Sequence, residues 1–190
     1  VYTVPIDVNL VIQRFPLVLI TSASVVLVYF FVKKLFDNKI AFLCAILLAF
    51  DPLHLAYSRL ILPDALVASF MTLSLLCFIV YLEWNQSLRY AMFSGFAAGL
   101  AFLSKNVSLL LIPIICFLTV MAYFTEVRSW RELRPEKILK LALALVVWGA
   151  AAMLVFYLLW PAMWVNPGGT SHRVFGFADY TKIFTSSLQY

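Results

Sequence analysis

The sequence predicts an all-α membrane protein, a polytopic transmembrane helix bundle of about six spans with one short interfacial helix. Three observations carry that prediction. Of the 190 residues, 64% are hydrophobic and 12% charged, with mean hydropathy +0.98, whereas a soluble domain sits nearer half apolar and a quarter charged. The apolar runs are long and lack the two-residue alternation of a membrane barrel, which favours helices. Between two of these runs lies Asp51-Pro52-Leu53-His54-Leu55-Ala56-Tyr57-Ser58-Arg59-Leu60-Ile61-Leu62-Pro63-Asp64, a polar cluster bracketed by prolines. Ionisable groups at membrane depth are functional candidates by default, and irregular backbone is tolerated there only against protein or a cavity.

The elements follow in order. Residues 1–13 are polar and mixed, and Arg14-Phe15-Pro16 opens an apolar run to Val32. A proline suits a first helical turn, where its missing N–H would be unpaired anyway. Lys33 to Lys39 closes the span. The next run, Ile40 to Phe50, has only 11 residues and reaches full span only by borrowing from its ends. Asp51 is a good N-cap and Pro52 a good first residue, so 52–62 reads as a separate short helix near one membrane surface. On it His54 and Ser58 share a face, as do Leu55 and Arg59. Ala65 to Leu82 is a clean span, followed by a polar loop from Glu83 to Arg89. Tyr90 to Leu103 is the next, with Gly95 and Gly99 spaced for close helix contact. Ser104-Lys105-Asn106 breaks the apolar run, and Val107 to Phe124 spans again with Pro113 as a kink. A strongly basic stretch over 125–140 precedes the last span, Leu141 to Trp160, and an aromatic, turn-rich exit over Trp160–Gly169. Tryptophan favours the headgroup level.

Lysine and arginine set the expected orientation. The loops at 33–39, 83–90 and 125–140 carry three, one and five, all on one side if every run spans. The other side holds five: Arg14, Arg59, Lys105, Arg173 and Lys182. Nine against five places the first set in the cytoplasm of a multi-pass cell-membrane protein. The 51–64 cluster, Lys105 and the Trp160 tail then converge on the extracytoplasmic face. The net charge of +5 sits mostly in short loops, so it bears on orientation and membrane lipids and not on nucleic acid.

Arg59 is the strongest candidate for chemistry, because guanidinium matches phosphate oxygens in a fork. At the outer headgroup level it would hold a lipid-linked phosphate, with Lys105 supplying a second charge, or both side chains snorkel to ordinary headgroups. Asp64 would orient Arg59 by ion pairing or favour the start of the following helix. Asp51 reads as a cap. His54, Tyr57 and Ser58 are supporting polar contacts or interfacial packing. No metal constellation is visible: His54 and His172 have no ligand pattern around them, and Cys44, Cys77 and Cys116 lie in apolar runs as small core residues. The sequence requires no cofactor and leaves a divalent metal open. There is no phosphate-binding glycine loop, no Ser-His-Asp arrangement and no dinucleotide fingerprint.

The run from Leu47 to Leu66, with its Ser58-Arg59, three apolar residues and a proline, then an acid opening a span, resembles the polytopic GT-C glycosyltransferases. It is most similar to the dolichyl-phosphate-mannose–protein mannosyltransferase family and its bacterial, aminoarabinose transferase-like relatives. Arg14-Phe15-Pro16 with Lys33-Lys34-Leu35-Phe36 resembles the family's second span. Gly99-Leu100-Ala101-Phe102-Leu103-Ser104-Lys105 and Trp160-Pro161-Ala162-Met163-Trp164-Val165-Asn166-Pro167 are similar to later family motifs. The resemblance implies an inverting transferase that takes a sugar from a polyprenyl- or dolichyl-phosphate donor outside the membrane and passes it to a protein or lipid acceptor. It assigns Arg59 to the donor phosphate, Asp64 to the acid that follows, and Lys105 to the lysine after the fifth span. It also implies that residues 1–190 form a partial GT-C transmembrane domain. The first span, the first outer loop with its acidic general base, and a C-terminal soluble part would lie outside it. Asp7 stands too late to be that base, so no catalytic residue is assigned within the chain. The alternative is a transporter or flippase of lipid-linked sugars. An inverted repeat would favour it, and the span pattern has none. A structural membrane subunit is a third reading, for which the polar cluster would be superfluous.

Overall fold

Long apolar runs in a lipid environment must satisfy every backbone polar group internally, and the chain does so as helices. The computed structural model describes residues 6–59, 62–84, 86–126, 135–160 and 164. Seven α-helices are described: α1 Ile6–Leu35, α2 Asn38–Ala49, α3 Pro52–Arg59, α4 Asp64–Glu83, α5 Leu88–Ser104, α6 Leu111–Glu126 and α7 Pro135–Leu159. A 3₁₀ segment, Asn106–Leu110, leads into α6.

Among the described residues, four helical stretches are long and apolar enough to cross a membrane: Arg14–Leu35, Asp64–Glu83, Asn106–Phe124 and Ile138–Leu159. The count becomes five if α2 and α3, bent by 53° at Phe50-Asp51, form one broken span. That is fewer than the six expected, and length is the reason. The 12 residues of α2 reach about 18 Å at 1.5 Å per residue, and the 17 of α5 about 25 Å, against a hydrocarbon core of about 30 Å.

Side-chain contacts fix the up-and-down order. Lys34, at the end of α1, hydrogen-bonds the Tyr90 hydroxyl near the start of α5. Its ammonium also lies 4.8 Å from the Trp84 ring centre and 4.4 Å from that of Tyr90. The Tyr81 hydroxyl, at the end of α4, reaches the Lys140 carbonyl near the start of α7 at 3.3 Å. At the opposite end, Asp64 opens α4 beside Lys105, which closes α5. The bundle thus has a lysine-rich end at Lys33, Lys34 and Lys140. The other end gathers the α2–α3–α4 connection, the α5–α6 break and the end of α7.

The tightest packing joins α5 to α4 and α7. Ala98, Ala101, Phe78, Leu111, Ala144 and Ala152 form the centre of a buried cluster. A Cβ built on Gly99 would lie 2.7 Å from both the Ala152 carbonyl oxygen and the Val155 Cβ, and one on Gly95 would collide with the Trp148 carbonyl. The small-residue spacing on α5 therefore is a helix contact, as the sequence suggested. On its other side, Ser94 Oγ donates to the Ser74 carbonyl at 2.7 Å, and the two hydroxyls lie 3.1 Å apart. A second cluster, Val28, Val32, Ala41, Leu73 and Ala97, ties α1 and α2 to this core.

Three features differ from expectation. The first helix begins at Ile6 and not at Arg14, so Pro16 lies inside it and not in its first turn. Span-interior prolines are tolerated where neighbouring groups re-satisfy the backbone. Pro113 stands in the first turn of α6, just after the 3₁₀ segment. In a first turn its missing N–H breaks no α-helical hydrogen bond, unlike the mid-span kink expected from the sequence. The last helix starts at Pro135 and not at Leu141.

Candidate functional site

The polar stretch folds as its capping signals dictate. The His54 backbone N–H donates to Asp51 Oδ2 at 2.9 Å, so Asp51 caps α3 and Pro52 occupies the first helical position. One turn along, Ser58 Oγ donates to the Leu55 carbonyl at 2.9 Å, and Ser58 is buried. The described helix ends at Arg59, and α4 starts at Asp64. The Arg59 side chain lies outside the described residues, as do Arg128, Arg131, Arg134 and Lys137 of the basic stretch and most of the Trp160–Gly169 exit. Within that exit, Trp164 Nε1 donates to the Tyr157 carbonyl at 2.9 Å.

The i, i+4 face of α3 is the one that meets the bundle. His54, Leu55 and Ser58 line a groove of about 380 Å³ together with Thr21, Ser22 and Val18 of α1. The groove is mostly apolar but carries these hydroxyls and one imidazole. Thr21 is buried, and its hydroxyl turns back to the Leu17 carbonyl at 3.0 Å. Nothing in the α1 sequence had singled out Thr21 and Ser22. Three Ser/Thr hydroxyls close together in a long, largely apolar helix, at Thr21, Ser22 and Ser24, were the available signal. Tyr57, on the other side of α3, is exposed and does not line this groove.

Asp64 and Lys105 come together. Lys105 Nζ lies 2.5 Å from Asp64 Oδ1, with the two side chains 46% and 34% exposed. Asp64 is the first residue of α4, where a carboxylate complements the helix N-terminus, but it makes no capping hydrogen bond. The cap position is Pro63. Its carboxylate is committed to Lys105, a partner 41 residues away. Lys105 is itself held firmly. It has extended backbone (φ −164°, ψ 143°) between α5 and the 3₁₀ segment, and its N–H donates to the Ala101 carbonyl at 3.2 Å. Its carbonyl accepts from Ser108 twice, from Oγ at 2.6 Å and from N–H at 3.1 Å. Ser108 is fully buried, a support that its apolar surroundings in the sequence concealed.

One end of the bundle therefore carries a capped amphipathic helix, a groove with hydroxyls and an imidazole, and a water-accessible ion pair. Against these, the family model described as dolichyl-phosphate-mannose-protein mannosyltransferase matches residues 6–160. The chain belongs to this family. It is a helical membrane protein of the glycosyltransferase class, in agreement with the GT-C resemblance. No curated protein matches the chain, and no solved structure does. The matched stretch includes all seven described helices, so the polar end belongs to the part the family shares.

Proposed function

We propose that the chain forms part of an integral membrane glycosyltransferase that moves a sugar, mannose or another hexose or pentose, from a polyprenyl- or dolichyl-phosphate donor to a hydroxyl of a protein or lipid acceptor. The transfer takes place at the extracytoplasmic face. What supports the reading is the gathering of Asp51, His54, Asp64 and Lys105 at the end of the bundle opposite Lys33 and Lys34. Positively charged loops favour the cytoplasm, which puts the Asp64–Lys105 end outside. A lipid-linked donor needs what that end offers, an apolar flank for the chain and cations for the phosphate.

In this reading the acceptor oxygen attacks the sugar's C1 and the C1–O bond to phosphate breaks, its electron pair going to the phosphate oxygen. The acceptor's proton passes to a base. Family resemblance assigns that base to an acidic residue of a first outer loop, and none of the residues described above is given that role. Arg59 and Lys105 bind the donor phosphate, and His54, Ser58 and Tyr57 support the polar end.

Arg59→Ala in the whole protein tests the assignment. Loss of a charge-assisted contact of about 1.5–3 kcal/mol predicts a KM for polyprenyl-phosphate-sugar raised by one to two powers of ten. The thermal midpoint in detergent should move little. Unchanged donor affinity overturns the phosphate role of Arg59.

A further inference from the structure

If the donor phosphate is bound as proposed above, the Asp64–Lys105 pair has a consequence for the end of the reaction. The donor is a phosphodiester with a single negative charge. The product that leaves with the C1–O electron pair is a polyprenyl phosphate monoester, carrying about 1.5 to 2 negative charges at neutral pH. A cation that holds the donor therefore holds the spent carrier more tightly, and an enzyme built on free cations would be inhibited by its own product.

Lys105 is not a free cation. Its ammonium already lies 2.5 Å from Asp64, and both groups remain partly open to water. The backbone at Lys105 is fixed at both its N–H and its carbonyl, so the lysine head swings from a fixed base. Asp64 is equally fixed, at the first residue of α4, and caps nothing that would be lost if its partner left. We propose that Asp64 is an exchange counter-ion. Donor phosphate draws Lys105 partly away from Asp64, and Asp64 retakes Lys105 as the more highly charged product departs. With Lys105 drawn onto the phosphate, the carboxylate stands beside it and repels the extra product charge more than the donor's single charge. It thereby sets the ratio of product affinity to donor affinity.

The test measures binding of polyprenyl phosphate and of polyprenyl-phosphate-mannose to the whole protein in detergent, for wild type, Asp64→Asn, Lys105→Gln and the double variant. Asp64→Asn should tighten product binding about five-fold or more, and donor binding by a smaller factor of about two. In the Lys105→Gln background both lipid phosphates should bind more weakly, and the same change should still shift the product-to-donor ratio, because the repulsion does not pass through Lys105. Asp64→Ser, which keeps a residue suited to a helix start, gives the same readings if the Asn variant is poorly folded. A product-to-donor ratio unchanged in folded Asp64 variants, or product binding that weakens, overturns the counter-ion role and marks the pair as a strap between α4 and α5. If wild-type protein binds neither lipid phosphate above an uncharged polyprenol, the proposed function itself fails.

Discussion

Asp51 shows how much a single side chain does in the polar stretch. Its carboxylate accepts the His54 N–H and so pins the start of an eight-residue helix, too short to be stable in isolation. Asp51→Ala removes that cap at a cost of about 1 kcal/mol, whereas Asp51→Ser preserves it. Hydrogen exchange on the membrane-embedded protein should show faster exchange at the start of α3 for the alanine variant and wild-type protection for serine. Equal protection in both would refute the capping role. Asp51 as a cap was legible in the sequence, because the Asp-Pro signal is local and its partner lies three residues on. The Asp64–Lys105 pair was legible only as two candidate residues. The two lie 41 residues apart in the sequence, and no local pattern distinguishes a lysine awaiting a phosphate from one already paired. Ser108 escaped notice for a related reason, since its service is to the backbone of Lys105 across a 3₁₀ turn that the sequence did not announce.

At the scale of elements, the α5–α7 contact is the most exacting feature of the fold. Gly95 and Gly99 lie against the backbone of α7 so closely that any side chain must displace it. Without a hydrophobic force between helices in lipid, such close packing is what holds spans together. Gly99→Leu should force α5 and α7 apart, costing at least the 1–3 kcal/mol of ordinary overpacking. Gly149, on α7, has open space where a Cβ would go. Gly149→Ala should therefore be neutral, or stabilising by up to about 1 kcal/mol through helix propensity. Thermal unfolding in detergent checks the pair, and a Gly99→Leu midpoint equal to wild type would remove the close-contact argument. The glycine spacing was readable because helical periodicity puts both residues on one face. The partner helix was not, since nothing local says whether α4, α6 or α7 fills that face. Helix boundaries erred for a different reason. Residues 6–13 are polar enough to look like a loop, yet α1 continues through them, as an apolar-run criterion tracks the membrane's edge and not the end of the hydrogen-bonded helix.

For the molecule as a whole, the decisive question is whether α5 crosses the membrane. Its 17 residues reach about 25 Å, short of the hydrocarbon thickness, yet its two ends are tied to opposite ends of the bundle. Tyr90 binds Lys34 near its start, and Lys105 binds Asp64 just past its end. A short span is accommodated by local bilayer thinning and by flanking residues that snorkel, at fractions of a kcal/mol per ångström. Arg89, in the first turn of α5, and Lys105, just past its end, are in the right places for it. A bundle held by α4 and α7 on either side of α5 should therefore carry it across, although its length alone does not qualify it as a span. Single cysteines at Ser87 and Asn106, in protein whose Cys44, Cys77 and Cys116 are replaced, test this with a membrane-impermeant thiol reagent on intact cells. Asn106→Cys should be labelled from outside, and Ser87→Cys only after the membrane is opened. Labelling of both from the same side would show that α5 turns back and that the alternation of spans is wrong. Reversed labelling would leave the bundle intact but put Asp64 and Lys105 in the cytoplasm. The charge bias would then have misled, and an extracytoplasmic transfer site could not be built from these residues.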